Sequence, residues 1–288
     1  MVKSYSLSYF PEVRDEPNYH FELQEPELDL DKRAIECANV LKTDYSDNLD
    51  ELFQLGGSLG GARPKILTNY NSEKWIIKFP FSQDSKDFGE QEYRYSLCAK
   101  ECGIHMEKTE LFPSKICAGY FRTKRFDRKR FGEEKVKKIH MNSASGLLET
   151  SHRLLNLDYN ILMKLTLELT KDYTQIEALH RLMCFNVFAH NRDDHSKNFT
   201  YLYDERNASW RLSPAYDLTY SSPIGEEHAT TINGNGVDPG MKDLIAVADN
   251  IGINLSKAKE IAQMVEACVK KYGLVYNTHI KYLIIFVR

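Results

Sequence analysis

Residues 184–217 read CFNVFAHNRDDHSKNFTYLYDERNASWRLSPAYD and hold the densest polar cluster of the sequence between an apolar run and a hairpin. The apolar run just before and into it (Leu182, Met183, Phe185, Val187, Phe188) predicts a buried helix that delivers a polar cluster to a loop. That cluster is Asp193, Asp194, His195, Lys197 and Asn198. Phe199, Tyr201 and Tyr203 recur at every second position and predict a strand. Asp204–Ser209 is rich in turn residues, and Trp210–Leu212 predicts the returning strand. Asp217 follows the hairpin. Any one of these polar residues alone is accounted for by capping and turn formation. The ordered set is different. A carboxylate, an amide five residues on and a second carboxylate across a hairpin suit phosphoryl transfer, which needs a proton acceptor and oxygen ligands for Mg²⁺.

Working outward, the 288 residues suffice for one large domain or two small ones. A 42% hydrophobic content, with 17 Tyr and 14 Phe, supplies a core. The net charge of −3 leaves no global basic field to recruit nucleic acid. No run approaches 18 apolar residues, so no membrane span is expected. The start, MVKSYSLSYFPEV, has no apolar segment of the secretory kind, and a cytoplasmic protein is expected. The six cysteines (37, 98, 102, 117, 184 and 268) are scattered. Only Cys98 and Cys102 are close, at helical spacing, and all six read as reduced core thiols rather than zinc ligands.

Residues 1–30 are acidic and carry Pro11, Pro17 and Pro26, which argue for a surface arm rather than a helix. A short helix is expected over Asp31–Lys42. Leu55–Lys65, LGGSLGGARPK, packs four glycines into six positions, which taken alone reads as a plain loop but also frees backbone N–H groups to face one anion. The phosphate-loop pattern GxxxxGK[ST] is absent. Two strands are expected at Lys65–Leu67 and Lys74–Phe79. The second carries Lys78 among apolar neighbours; a lysine so placed either snorkels out from an edge strand or is buried with a partner. The helix expected over Asp87–Cys102 offers Glu92, with Gly103 to end it. Two further strands are expected at Ile104–Leu111 and Ile116–Phe121. Nine Lys/Arg residues between Arg122 and Lys138 read as an exposed β-hairpin or substrate-docking surface, with nucleic-acid binding as the other reading.

After residue 158 the chain reads as helical: Tyr159–Thr170, Thr174–Ala189, Asp243–Ala248, Ser256–Tyr272 (capped by Ser256 and Gly273) and Thr278–Val287. Strands come first and helices afterwards. The expected class is α+β in two lobes, a strand-rich lobe over residues 1–125 and a helical lobe over 126–288.

Taken together, GGSLGGARPK, WIIKFP, EQEYRYSLCAKECGI, TKRFDR, NRDDHSKNFTYL and LSPAYDL resemble, in order, the loop, lysine strand, glutamate helix, hinge, catalytic loop and metal motif of the HipA-type serine/threonine kinases. These are toxins of bacterial toxin–antitoxin modules, and the resemblance covers roughly residues 50–220. It implies a protein-kinase-like fold using ATP and Mg²⁺. Asp193 resembles the catalytic base, Lys78 the phosphate-binding lysine held by Glu92, and Asn198 and Asp217 the Mg²⁺ ligands. Gly60, Gly61, Ala62, Arg63, Pro64 and Lys65 resemble the loop over the phosphates. Lys124, Arg125 and Phe126 resemble the hinge at adenine, and Asp127 is placed toward ribose. His195, Ser196, Lys197 and Tyr216 also belong to the implied nucleotide site. Ser58 matches the loop serine that the family autophosphorylates. A phosphate there adds nearly two negative charges and would expel the loop.

The sequence departs from the family at the hinge, where Lys124 replaces a glutamate, and in the loop, where Gly57-Ser58 leaves one phosphate acceptor. Only about fifty residues precede the glycine loop, as in the short form HipT, whose missing subdomain is a separate protein. The resemblance implies a DNA-binding HipB-like antitoxin and a HipS-like small subunit as partners, with an aminoacyl-tRNA synthetase as substrate. Direct contact with nucleic acid or membrane is not expected. Two other readings stand beside this one. One is a small-molecule kinase on the same lobes. The other is a non-catalytic binding module.

Overall fold

The computed structural model of the protein describes residues 23–24, 29–42, 63–80, 84–131, 135–150, 157–221 and 225–274. The chain divides into two compact units. One takes the residues up to Tyr93 together with Glu107–His140, and the other takes Arg94–Met106 together with the chain from Met141 onward. The division therefore differs from a single cut after residue 125.

The first unit is strand-rich. β1 (Leu23–Gln24), β2 (Lys65–Tyr70), β3 (Glu73–Lys78), β4 (Thr109–Phe112) and β5 (Tyr120–Lys124) form one sheet in the order β1-β2-β3-β5-β4. Its centre is the β2–β3 hairpin, closed by Asn71 and Ser72 at φ 50° and 62°. Two successive left-handed residues match the twist of the strands they join. Trp75, Ile77 and Phe79 alternate along β3 and its end, and all three are fully buried. Ile77 and Phe79 pack with Ile66, Tyr120 and the apolar face of α1 (Leu30–Lys42). Asp31 anchors α1 by accepting from Ser114 Oγ at 2.6 Å, Lys115 N–H at 2.9 Å and the Tyr120 hydroxyl at 2.9 Å. Chiefly through the Ser114 bond, its carboxyl is held below the ordinary range.

The strands expected at Ile104–Leu111 and Ile116–Phe121 start later than their apolar residues suggest, at Thr109 and Tyr120. Ile104 is spent on ending α2 (Phe88–Glu101), its N–H donating to Ala99 O past Gly103 at φ 75°. The Ser114 hydroxyl takes the N–H groups of Ile116 and Cys117, so neither can join a ladder. The basic run forms β6 (Arg128–Phe131) paired antiparallel with β7 (Lys135–Lys138); the expected turn at 132–134 lies outside the described residues.

Gly89, in the first turn of α2, lies against the backbone of Gly119. A Cβ there would sit 2.2 Å from Gly119 O. Gly89→Ala is expected to destabilise the protein by about 1–3 kcal/mol, because backbone must move to admit one methyl. Urea unfolding of the two proteins measures it, and an unchanged midpoint would contradict the close approach.

The second unit is mainly helical. β8 (Met141–Ser143) leads into the short α3 (Ala144–Leu147), and β9 (Leu157–Asp158) leads into α4 (Tyr159–Thr170), α5 (Tyr173–Phe188) and, further on, α6 (Met241–Ile251) and α7 (Leu255–Lys271). Asp158 and Asp172 cap α4 and α5 by accepting from Asn160 and Thr174 N–H. The cap of α7 is Asn254, not Ser256, its side chain accepting from Lys257 N–H at 3.1 Å. Gly273, at φ 64°, turns the chain out of α7 as expected. The helix expected at 278–287 lies outside the described residues. β10 (Thr200–Asp204) runs between β11 (Ser209–Leu212) and β8, and β12 (Thr230–Thr231) pairs parallel with β9. Met183, Cys184 and Phe185 of α5 sit fully buried in the core of this unit. No described helix is long and apolar enough to cross a membrane.

Candidate active site

In the first unit, Lys78 stands at the end of β3. Lys78 lies on the face of the strand opposite Trp75 and Ile77. Its Nζ makes an ion pair with Glu92 of α2, the two side chains being 11% and 3% exposed. A buried charge stripped of such a partner costs about 3–5 kcal/mol, so the pair holds both side chains in place. Lys65 is the direct cross-strand partner of Lys78. Cross-strand partners share a face, so two lysines rise from one side of the hairpin. Arg63 is held by Asp84 at 3.0 and 3.2 Å, with its guanidinium 4.0 Å over Phe88. Pro64 O accepts from Phe79 N–H at 2.9 Å. Ser58, Gly60, Gly61 and Ala62 lie outside the described residues.

The hinge candidates are held by their own unit. Lys124 N–H donates to Lys108 O at 2.9 Å and Arg125 N–H donates to Lys74 O at 2.8 Å. Those two donors are taken, so any adenine contact here would have to use carbonyls or other donors. The Lys124 ammonium pairs with Glu73. Asp127 is gripped by the Arg125 guanidinium through both carboxylate oxygens, at 2.8 and 2.6 Å, and is also paired with Arg128. Burial pushes its carboxyl up, but the two arginines outweigh this and hold it below the ordinary range.

The second unit contains the loop after α5. Within it, Asp193 and Asp194 meet opposite environments. The Asp193 side chain is 61% exposed, with Oδ1 3.7 Å from His195 Nε2. Asp194 is buried. It accepts from the Tyr159 hydroxyl, His228 Nδ1 and Thr230 N–H, each at 3.1 Å, and its carbonyl accepts from the Thr230 hydroxyl. The network continues inward, with Asn186 donating to Tyr159 and Asn191 to Asn186, each at 2.9 Å. Burial, reinforced by the Asp194 charge, pushes the Tyr159 hydroxyl well above its ordinary range and keeps it a donor. Nothing in the sequence marked His228, Tyr159 or Thr230 as supports of this loop.

Asn198 Nδ2 donates to the Asp193 carbonyl at 2.8 Å, and Asn198 N–H donates to His195 O at 2.8 Å. These bonds orient the amide, with Oδ1 as the atom that could take a metal ion. Tyr216 donates to Lys197 O at 2.6 Å, tying the loop to the segment that carries Asp217. Asp217 adopts φ 55°, a left-handed conformation that aspartate tolerates better than most residues. The Ser196 side chain is buried and Lys197 is exposed. An amide oxygen and a carboxylate are hard donors, the set that Mg²⁺ takes. A cavity of about 220 Å³ in this unit, lined by residues including His190, Arg192, His228 and Lys270, contains none of Asp193, Asn198 or Asp217.

The fold is α+β and protein-kinase-like. A HipA chain from Shewanella oneidensis MR-1, solved with HipB and its operator DNA, is similar over 77% of this chain with TM-score 0.58 and 17% identity. This chain covers 59% of that HipA chain. The Helicobacter pylori proinflammatory kinase CtkA is similar over 73% of this chain and 90% of its own, with TM-score 0.43 and 14% identity. No curated protein sequence matches. The HipA-like C-terminal domain family matches residues 57–272, and the chain belongs to that family.

Proposed function

We propose that the protein is an ATP- and Mg²⁺-dependent serine/threonine kinase acting as the toxin of a bacterial toxin–antitoxin module. The observation that carries this reading is the loop after α5, where an exposed Asp193 carboxylate is followed by an Asn198 amide bonded to the Asp193 carbonyl. Asp193 accepts the proton of the acceptor hydroxyl, and its exposure admits a hydroxyl carried on a protein. Lys78, held by Glu92, faces phosphate oxygens, with Lys65 beside it. Asn198 and Asp217 hold Mg²⁺, which when bound offsets charge on the phosphates. The substrate is an aminoacyl-tRNA synthetase. The chain also phosphorylates its own Ser58.

As partner we propose a HipB-like DNA-binding antitoxin, by likeness to the Shewanella HipA, whose structure holds HipB and operator DNA. With a net charge of −3, the chain itself supplies no general attraction for DNA.

The test is transfer of labelled γ-phosphate from ATP to a panel of aminoacyl-tRNA synthetases and to the chain itself. Transfer should require a divalent cation and stop on chelation, with self-labelling confined to the Gly56–Lys65 peptide. Transfer that persists in chelator would exclude the metal role of Asn198 and Asp217. An unlabelled loop peptide from active protein would exclude Ser58.

A further inference from the structure

We propose that Cys98, Cys102 and Cys268 form a three-coordinate thiolate site for a thiophilic ion of the class of trivalent arsenic and monovalent copper. Cys98 lies in the last turn of α2, Cys102 follows four residues on, just past the helix end, where its N–H donates to Cys98 O at 2.8 Å, and Cys268 lies in the last turn of α7. Their sulfurs all fall within 4.8 Å of one another, and Cys98 Sγ and Cys268 Sγ are 4.0 Å apart. All three residues are buried, at 0%, 0% and 8% exposure, within the second unit.

The geometry suits three ligands. With metal–sulfur bonds of about 2.3 Å, planar monovalent copper holds its sulfurs about 4 Å apart, and trivalent arsenic, pyramidal because of its lone pair, holds them about 3.5 Å apart, so arsenic would draw the three sulfurs closer. Among the described residues no histidine, carboxylate or further cysteine joins the group, so tetrahedral zinc would lack a fourth protein ligand. Softness points the same way, since sulfur donors select soft ions. Charge separates the two candidates. Arsenous acid, As(OH)₃, exchanges its three As–O bonds for three As–S bonds; the thiol protons leave with the hydroxyls as three waters, and no electrons are transferred. The product is neutral and costs no buried charge. Monovalent copper displaces the same protons to solvent without redox change, but leaves net negative charge near Arg181, whose guanidinium donates to Cys102 O at 3.1 Å. Three thiols packed simply as small apolar side chains is the competing account.

The experiment uses the full chain, reduced with a phosphine so that no competing thiol is present, and titrated separately with arsenite and with monovalent copper. Native mass spectrometry should show one ion per chain, and the arsenic adduct should equal the mass of arsenic less three protons. The loaded chain should melt at higher temperature than the free chain. Cys98→Ser, Cys102→Ser and Cys268→Ser should each weaken binding by at least about tenfold, while Cys37→Ser and Cys117→Ser should leave it unchanged. X-ray absorption on the loaded wild-type chain should count three sulfurs, a reading that needs no folded variant. Binding of arsenite alone assigns the neutral complex, and binding of copper alone assigns the charged one. No one-to-one adduct with either ion, a two-sulfur shell, or wild-type affinity in Cys268→Ser overturns the site.

Discussion

Asp193→Asn is expected to slow phosphoryl transfer by about 10²–10⁴-fold and to change stability by no more than about 0.5 kcal/mol. The two halves of this expectation have separate causes. Asparagine keeps the size of the side chain but cannot accept the proton of the incoming hydroxyl. The side chain is 61% exposed, so little packing is lost. The bond that orders the loop here, from Asn198 Nδ2, goes to the Asp193 backbone carbonyl and survives the substitution. Initial rates of labelled phosphate transfer at saturating ATP, beside melting curves for both proteins, separate the effects. Equal rates would remove Asp193 as the base. A large fall in melting temperature would show that its carboxylate supports the fold.

One residue along, the expectation reverses. Asp194→Ala is expected to cost about 3–5 kcal/mol of stability, because the His228 ring, the Tyr159 hydroxyl and the Thr230 N–H lose their shared acceptor in a buried setting. Asp194→Asn should fall between, since its amide oxygen can still accept but its NH₂ group faces donors. Activity would fall with the folded fraction and with the order of the loop, so the direct readout is the midpoint of urea unfolding. A cost below about 1 kcal/mol for Asp194→Ala would mean that the buried network does not hold the loop.

The contrast shows what could be read from residues alone. Asp193 and Asp194 are the same side chain, adjacent, in one polar cluster. The sequence signals a loop with chemistry but carries no sign of which carboxylate turns inward. That choice depends on His228 and Thr230, more than thirty residues downstream, and on Tyr159, thirty-five upstream. The hinge candidates behave likewise. TKRFDR could be recognised as a motif, but sheet pairing decides that the Lys124 and Arg125 N–H groups are already taken. Apolar content overstated the strands near Ile104 and Ile116, because a helix end and a serine side chain claimed backbone groups that the pattern assigned to a sheet.

Local spacing was enough for the β2–β3 hairpin, for α4 and α5 and for the strand–turn–strand after the polar loop. In each, neighbours in the chain set the backbone geometry and alternation or helical period sets the buried face. The ordered motifs likewise placed the chain in its family. Long-range packing set which polar groups are buried together and which thiols meet. Cys268 lies 170 residues from Cys98, and no local period relates them. Their approach follows from the packing of α7 within the second unit, a long-range outcome of burying apolar faces.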